Sequence, residues 1–73
     1  MKDLKTVVAS VLGIPEDKVH SGLTREDTPE WDSFNHLMLV SEIEKEFDVQ
    51  IPMAEVEKIH SFEDLSRLIL KHE

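Results

Sequence analysis

Residues 32–47 read DSFNHLMLVSEIEKEF. Asp32 is a residue type that commonly caps helices, because its carboxylate accepts a backbone N–H one turn into the helix. Apolar residues then recur at helical spacing, which predicts a helix that begins at Ser33 and ends near Phe47. The stretch therefore predicts one long amphipathic helix.

The apolar positions of this helix cover more than one stripe near its start and narrow toward its end: Phe34, Leu37, Met38, Leu39, Val40, Ile43 and Phe47. Acidic residues fill the opposite side, at Glu42, Glu44, Glu46 and Asp48. The excess of apolar residues near Met38 predicts either burial on two sides or an exposed apolar patch that a partner covers.

Apolar spacing also predicts helices on either side of this stretch. A first helix covers residues 4–12, and Gly13 followed by Pro15 ends it. A short helix covers residues 53–58, after an extended link that Pro52 favours. Its inward-facing residues are Val56 and Ile59.

The last helix is expected to begin after Ser61. Ser61 and Asp64 form a capping-box pattern, with Asp in place of the usual Glu or Gln. The core face of this helix is Phe62, Leu65, Leu68 and Ile69. Between the first two helices lies a long connection, in which residues 15–18 form one short turn. Isolated apolar residues pin this connection to the core: Ile14, Val19 and Leu23.

These elements predict an all-α fold for a single domain that spans residues 1–73. We expect a small antiparallel four-helix bundle with three longer helices, one short helix and a long first loop. No stretch shows sustained period-two alternation, so no strand is expected.

The 73 residues carry 16 acidic and 8 basic side chains, for a formal net charge of -8, and no cysteine. Disulfides, thiolate zinc sites and a catalytic thiol are therefore excluded. The acidic excess argues against nucleic-acid binding and favours basic partners. No stretch approaches the roughly 20 apolar residues of a membrane span, and residues 1–5 lack the apolar run of a signal peptide. We therefore expect a cytoplasmic protein.

The histidines and serines give little support for an enzyme or a metal site. His20, His36, His60 and His72 lack metal-ligand spacing, so no metal site is expected. A hydrolase with Ser33 as nucleophile and His36 as base is disfavoured, because no Gly-x-Ser-x-Gly elbow or oxyanion site is present. We instead expect His36 to be a surface residue near the helix start.

Ser33 lies at the predicted N-terminus of the long helix, directly after the loop, so its hydroxyl should project into solvent. That end of a helix carries partial positive charge and free N–H groups, which favour an attached phosphate. The pattern leaves two interpretations open. Either Asp32 and Ser33 merely cap a helix, or Ser33 is a modification site.

The Asp32-Ser33-Phe34 segment resembles the Asp-Ser-Leu signature of the acyl carrier proteins, with Phe in the third place. These proteins are the phosphopantetheine-bearing carriers of fatty-acid, polyketide and related pathways. The likeness spans nearly the whole chain and includes residues 12–14, 44–47, 51–52 and 57–59. The signature is also placed at the head of the second helix of an acidic four-helix chain, as the family requires.

The resemblance implies that Ser33, flanked by Asp32 and Phe34, receives 4'-phosphopantetheine from coenzyme A through a separate phosphopantetheinyl transferase. The chain would then perform no catalysis and would carry acyl groups as thioesters. Its further partners would be acyl-loading and acyl-processing enzymes with basic docking patches, and we expect a monomer. The side chains that would meet those patches are Glu42, Glu44 and Glu46.

Members of this family can also shelter an acyl chain among their helices. The matching positions here are Ile43, Phe47, Ile51, Val56, Ile59 and Leu65. The same residues are equally explained as plain core, so both interpretations stay open.

Three positions near the signature depart from the fatty-acid carriers. Asn35 and Met38 stand where acidic residues are common, and Trp31 directly precedes Asp32-Ser33. The Trp-Asp-Ser form resembles specialised stand-alone carriers and peptide-synthetase carriers. We therefore predict that Trp31 and Met38 form an exposed or half-exposed apolar part of the docking surface.

Two alternatives to an acyl carrier stay open. The first is an aminoacyl or peptidyl carrier, which belongs to the same class. The second comes from a different class: an unmodified acidic helical adaptor that binds a basic partner through Glu42, Glu44 and Glu46.

Overall fold

A computed structural model describes residues 3–72 and the side chains of residues 3–71, so Met1, Lys2, Glu73 and the side chain of His72 lie outside the described part. The α-helices of the described part are α1 (Leu4–Leu12), α2 (Ser33–Phe47), α3 (Met53–Val56) and α4 (Phe62–His72). Residues 3–72 contain no β-strand. The predicted all-α fold, with three longer helices and one short helix, is confirmed.

The first helix, α1, forms because its apolar residues repeat at helical spacing and face one side. Val7, Val8 and Leu12 are buried. The helix ends at Gly13, whose φ of 69° lies in the left-handed region that glycine adopts without strain. The Gly13 N–H donates to the Ala9 carbonyl oxygen at 2.9 Å, which closes the last turn.

The long connection between α1 and α2 is ordered by its contacts with the core. Val19 is buried, and Ile14 and Leu23 pack partly buried against the core. Glu16–Lys18 form a single 3-10 turn. The predicted anchoring and the predicted short turn are both confirmed.

A backbone tie joins the middle of this connection to the residues before α4. The Phe62 N–H donates to the Leu23 carbonyl at 3.0 Å, and the Arg25 N–H donates to the His60 carbonyl at 2.8 Å. The tie is a single antiparallel bridge that does not extend into a strand. It has no counterpart among the sequence-based predictions, because backbone hydrogen bonds leave no side-chain pattern.

The second helix, α2, has the predicted bounds. Its buried residues are spaced by three or four positions and lie on one face: His36, Leu39, Val40 and Ile43. The helix ends at Asp48, whose φ of 52° is in the left-handed region that Asp tolerates better than most residues.

The short helix α3 follows a link that a side chain holds against α2. The Ile51 N–H donates to Glu44 Oε2 at 2.9 Å. The helix ends at Val56, two residues before the predicted end. Val56 and Ile59 are buried, as predicted.

The last helix, α4, begins with the predicted capping box. The Asp64 N–H donates to Ser61 Oγ at 3.1 Å. The Asp64 carboxylate accepts the His60 N–H at 2.9 Å, so it reaches the residue before the cap instead of the cap itself. Both ends of the box are therefore hydrogen-bonded.

The buried side chains form one hydrophobic core. Its largest fully buried members are Trp31, Leu39, Ile43, Ile59, Leu65, Val8 and Val19. In the described part of the chain, no helix is both long enough and apolar enough to cross a membrane.

Leu39→Ala is expected to lower the free energy of unfolding by about 2–5 kcal/mol, because it leaves a cavity in a packed core. Leu37→Ala removes an exposed leucine two residues away on the same helix. We expect it to change that free energy by less than about 0.5 kcal/mol. Urea unfolding followed by circular dichroism measures both variants, and equal losses would contradict the described orientation of α2.

Candidate functional site

Ser33 is the first residue of α2, and it is exposed. Asp32 is the N-cap, because its Oδ1 accepts the Asn35 N–H at 2.8 Å. The predicted cap is therefore confirmed. The N–H groups of Ser33 and Phe34 have no preceding helical carbonyl as a partner. This end of α2 therefore favours an anion beside Ser33.

Asn35 holds the end of the long loop against the start of α2. Its Nδ2 donates to the Glu30 carbonyl at 2.7 Å, while its backbone N–H binds Asp32. Asn35, which stands where fatty-acid carriers commonly have an acidic residue, therefore has a local structural role. It fixes the backbone that leads into Ser33.

A buried hydrogen bond joins Trp31 and His36, which lie on either side of Ser33 in the sequence. Trp31 is 2% exposed and His36 is 6% exposed. The indole Nε1–H donates to His36 Nδ1 at 3.0 Å, and His36 Nε2 lies 2.9 Å from the Val56 carbonyl oxygen. An indole nitrogen only donates and a carbonyl only accepts. Nδ1 of His36 is therefore the acceptor, and Nε2 carries the hydrogen.

The predictions of an exposed Trp31 and of a surface His36 are wrong. Trp31 buries its ring in the core, and its N–H has the partner that a buried indole requires. His36 precedes Leu39 by three residues and Ile43 by seven, which places it on the buried face of α2. That spacing is the signal in the sequence for the burial of His36.

The outward side of α2, which we call the outer face, is apolar near Ser33. Phe34, Leu37 and Met38 are 71%, 58% and 41% exposed, and the face continues through Ser41 and Lys45. The predicted exposure of Met38 is confirmed. Of the two explanations for the broad apolar pattern, burial on two sides is excluded, because these three side chains are exposed. Patches of this kind commonly mark contact with a partner.

The acidic residues of α2 lie on the flanks of the outer face. Glu42, Glu44 and Glu46 are half-buried, and the Glu44 carboxylate accepts the Ile51 N–H. Glu42 lines the same surface pocket as Val11 of α1. The prediction that these three acids fill the side opposite the apolar residues is therefore wrong, because the outer face occupies that side.

A surface groove of about 310 Å³ lies beside Ser33, between α2 and α3; we call it the α2–α3 groove. Leu37 and Met53 give it exposed apolar walls. The other residues that line it are Arg25, Ser33, His36, Val56 and Glu57. The sequence gives no local sign of this groove, because it joins three separate segments of the chain.

Arg25 is the cation of the α2–α3 groove. It is half-buried, and its guanidinium forms no ion pair with residues 3–71. The chain has twice as many acidic as basic side chains. A cation that lines the same groove as Ser33 and forms no ion pair can bind an anion there. Its position there was not predicted.

The residues predicted as an acyl-chain lining lie together in the core. Five of the six are at most 8% exposed, and Phe47 packs partly buried against them; the five are Ile43, Ile51, Val56, Ile59 and Leu65. An acyl chain would reach them only by displacing packed side chains.

The family model described as "Phosphopantetheine attachment site" matches residues 2–69. The chain belongs to this family. An acyl carrier protein of Bdellovibrio bacteriovorus is 31% identical over 68 residues, which cover 93% of this chain and 87% of the relative. The resemblance to the acyl carrier proteins is therefore confirmed. Members of the phosphopantetheine attachment-site family are carriers with covalently attached 4'-phosphopantetheine, and they are not enzymes.

The surroundings of Ser33 fit the prosthetic group of this family. The group is attached through a phosphodiester, which carries a negative charge and needs an accessible hydroxyl. Ser33 is exposed, the first turn of α2 has open N–H groups, and Arg25 lies in the adjacent groove. Glu57 is the negatively charged residue of the groove and would repel a phosphodiester. It is exposed, so solvent screens that repulsion.

Asp32→Ala is expected to lower the free energy of unfolding by about 1 kcal/mol, because the Asn35 N–H loses its acceptor. Asp32→Asn keeps a side-chain oxygen at the same place, so we expect it to retain most of the stability. Urea unfolding compares the two variants. Equal losses would show that the cap contributes through its charge and not through the hydrogen bond.

Proposed function

We propose that the chain is a single carrier domain, residues 1–73, whose Ser33 bears 4'-phosphopantetheine. The observation that carries this proposal is the exposed Ser33 hydroxyl at the first position of α2, inside the Asp-Ser-Phe segment and the matched region. When bound, the arm ends in a thiol that holds an acyl group as a thioester. The role of the protein is then to present the arm to separate enzymes, which raises the local concentration of the carried group.

Attachment exchanges one phosphorus–oxygen bond for another. Ser33 Oγ bonds to the phosphorus of coenzyme A that bears pantetheine, and the bond from that phosphorus to the bridging oxygen breaks. Adenosine 3',5'-bisphosphate leaves, and the Ser33 hydroxyl proton passes to a base of the phosphopantetheinyl transferase. The N-terminus of α2 and Arg25 favour the negative charge of the resulting phosphodiester.

The outer face of α2 is the proposed docking surface for the transferase and for acyl-loading and acyl-processing enzymes. Phe34 and Met38 offer apolar contact next to Ser33, and such side chains commonly dominate the affinity of an interface. On a flank of this face, Glu42 and Glu46 offer charge to basic patches, which mainly raises the association rate. Trp31 is buried and takes no part in this surface.

We infer that the chain serves a specialised pathway and not housekeeping fatty-acid synthesis. Asn35 and Met38 stand where fatty-acid carriers commonly have acids, so the start of α2 offers partners neutral and apolar groups. The Trp-Asp-Ser form also resembles that of aminoacyl and peptidyl carriers. The activating enzyme that loads the modified chain distinguishes an acyl cargo from an aminoacyl cargo.

We also propose a cytoplasmic monomer. A carrier that meets several enzymes in turn needs its docking surface free, and a net charge of -8 opposes self-association.

Incubation with coenzyme A and a broad-specificity phosphopantetheinyl transferase is expected to add one phosphopantetheinyl group per chain, measured by intact mass. Ser33→Ala is expected to gain none, because it lacks the hydroxyl at the start of α2. Ser41→Ala removes another exposed serine of the same helix, so we expect it to be modified like the wild type. No addition to the wild type, or equal addition to Ser33→Ala, would overturn the proposal.

Combined Phe34→Ala and Met38→Ala substitutions are expected to raise the KM of the transferase for the chain by about fivefold or more, as expected when interface anchors worth over 1 kcal/mol are lost. Combined Glu42→Gln and Glu46→Gln substitutions are expected to slow association mainly at low ionic strength, because salt screens charge steering. Steady-state kinetics at low and high salt separate the two effects. The opposite salt dependence would contradict this division of the docking surface.

A further inference from the structure

The hydrogen bond between His36 and Val56 closes the base of the α2–α3 groove. His36 belongs to α2, Val56 is the last residue of α3, and both line the groove together with Ser33. The 2.9 Å separation of His36 Nε2 and the Val56 carbonyl oxygen joins the two helices directly. Both residues are buried, so this bond separates the groove from the core beneath it.

The residues on the buried face of α2 determine which part of the core a group attached to Ser33 would meet first. His36 lies about one helical turn from Ser33, and Val40 and Ile43 lie about one and two turns further along. The α2 residues predicted to line an acyl site begin at Ile43. A chain that enters the core through the α2–α3 groove therefore has to pass His36 and Val56 first.

Opening this route disrupts a polar network as well as packing. His36 Nδ1 also accepts the Trp31 indole N–H, so movement of the ring breaks two buried hydrogen bonds together. Among the described side chains, no buried nitrogen or oxygen lacks a partner. An acyl chain offers neither donors nor acceptors to replace the lost bonds, and buried polar groups without partners are strongly unfavourable.

We propose that the His36–Val56 hydrogen bond is a latch that keeps an acyl group carried on Ser33 in the α2–α3 groove and out of the bundle core. The inference rests on the proposed attachment to Ser33. The groove offers the acyl group the apolar side chains of Leu37 and Met53, which are 58% and 66% exposed. His36 is a positioning residue, because it holds α3 on α2 and touches no reacting atom.

The latch has a consequence for the partner enzymes. An acyl group in the surface groove is accessible from solvent, so a partner reaches the thioester without first drawing the chain out of the core. Closure of the core also means that the carrier keeps its packing when it is loaded.

The test uses the full chain loaded from octanoyl-coenzyme A, with intact mass to verify one arm per chain. A ¹³C-labelled terminal methyl and a neutral soluble gadolinium chelate report by NMR how exposed the end of the octanoyl chain is. In the wild type, the methyl is expected to relax only slightly more slowly than in octanoyl-pantetheine alone, because the groove is open to solvent, and the methyl signals of Leu37 and Met53 are expected to shift on loading. In His36→Ala it is expected to relax severalfold more slowly, with shifted methyl signals for Ile43, Ile59 and Leu65.

Trp31→Phe is the matched control, since it removes the bond between Trp31 and His36 but keeps the bond to Val56. It is expected to leave the octanoyl methyl as exposed as in the wild type. If circular dichroism shows that His36→Ala does not fold, His36→Leu takes its place, because Leu fills much of the space and removes both hydrogen bonds. Trp31 is the one tryptophan of the chain, and its indole N–H signal in the wild type is expected not to shift on loading.

A protected methyl or a shifted indole signal in the wild type would overturn the latch, as would an exposed methyl in a folded His36 variant. These outcomes leave the attachment to Ser33 intact, because the mass of the same sample has established it. Absence of the arm from the wild type would overturn both proposals, which distinguishes failure of the attachment from failure of the latch alone.

Discussion

The burial of Trp31 and His36, which share a hydrogen bond, determines how α2 is set into the fold. Both side chains belong to the interior, one just before the helix and one in its first two turns. Because successive residues of a helix are turned by roughly 100°, an inward His36 turns Phe34 and Met38 outward and Leu37 to the side. Ser33 is exposed at the first position of the helix. The exposed side of the carrier is therefore oriented by a polar pair inside the core. Packing of apolar residues alone would leave this rotation less tightly defined, since Phe34 and Leu37 are as apolar as Leu39 and Ile43.

The positions of the helices could be predicted because their signals are local. Apolar spacing marks the helices, and Gly13, Asp32 and Ser61 mark three of their ends through caps that act within one turn. The tie between Leu23 and Phe62 could not be predicted, because it joins backbone groups of distant segments and depends on no side chain. The same limit applies to the α2–α3 groove, which collects residues from a loop and two helices.

Ser33 and its cap were predictable from residue type and position, whereas Trp31 and His36 show where residue type misleads. An imidazole near a helix start is commonly a surface residue, and the exposure of Trp31 was predicted only from its place beside the signature. Together they satisfy each other, since the indole donates and the imidazole accepts, so both become suitable for the core. The placement of the acids failed for a different reason. The turn of the helix places Glu42, Glu44 and Glu46 between its buried and outer faces, where Glu44 accepts the Ile51 N–H.

The tie between the long connection and the start of α4 changes how freely Ser33 can move. Leu23 and Arg25 are held by the backbone at residues 60–62, which leaves only residues 26–32 between this tie and α2. Short loops with fixed ends sample few conformations, and the buried ring of Trp31 restricts this one further. With Ser33 as the attachment residue, the protein provides a stationary pivot. The distance over which the carried group searches for an active site is then set by the length of the arm. The fold sets the direction in which the arm leaves the protein and does not extend that distance.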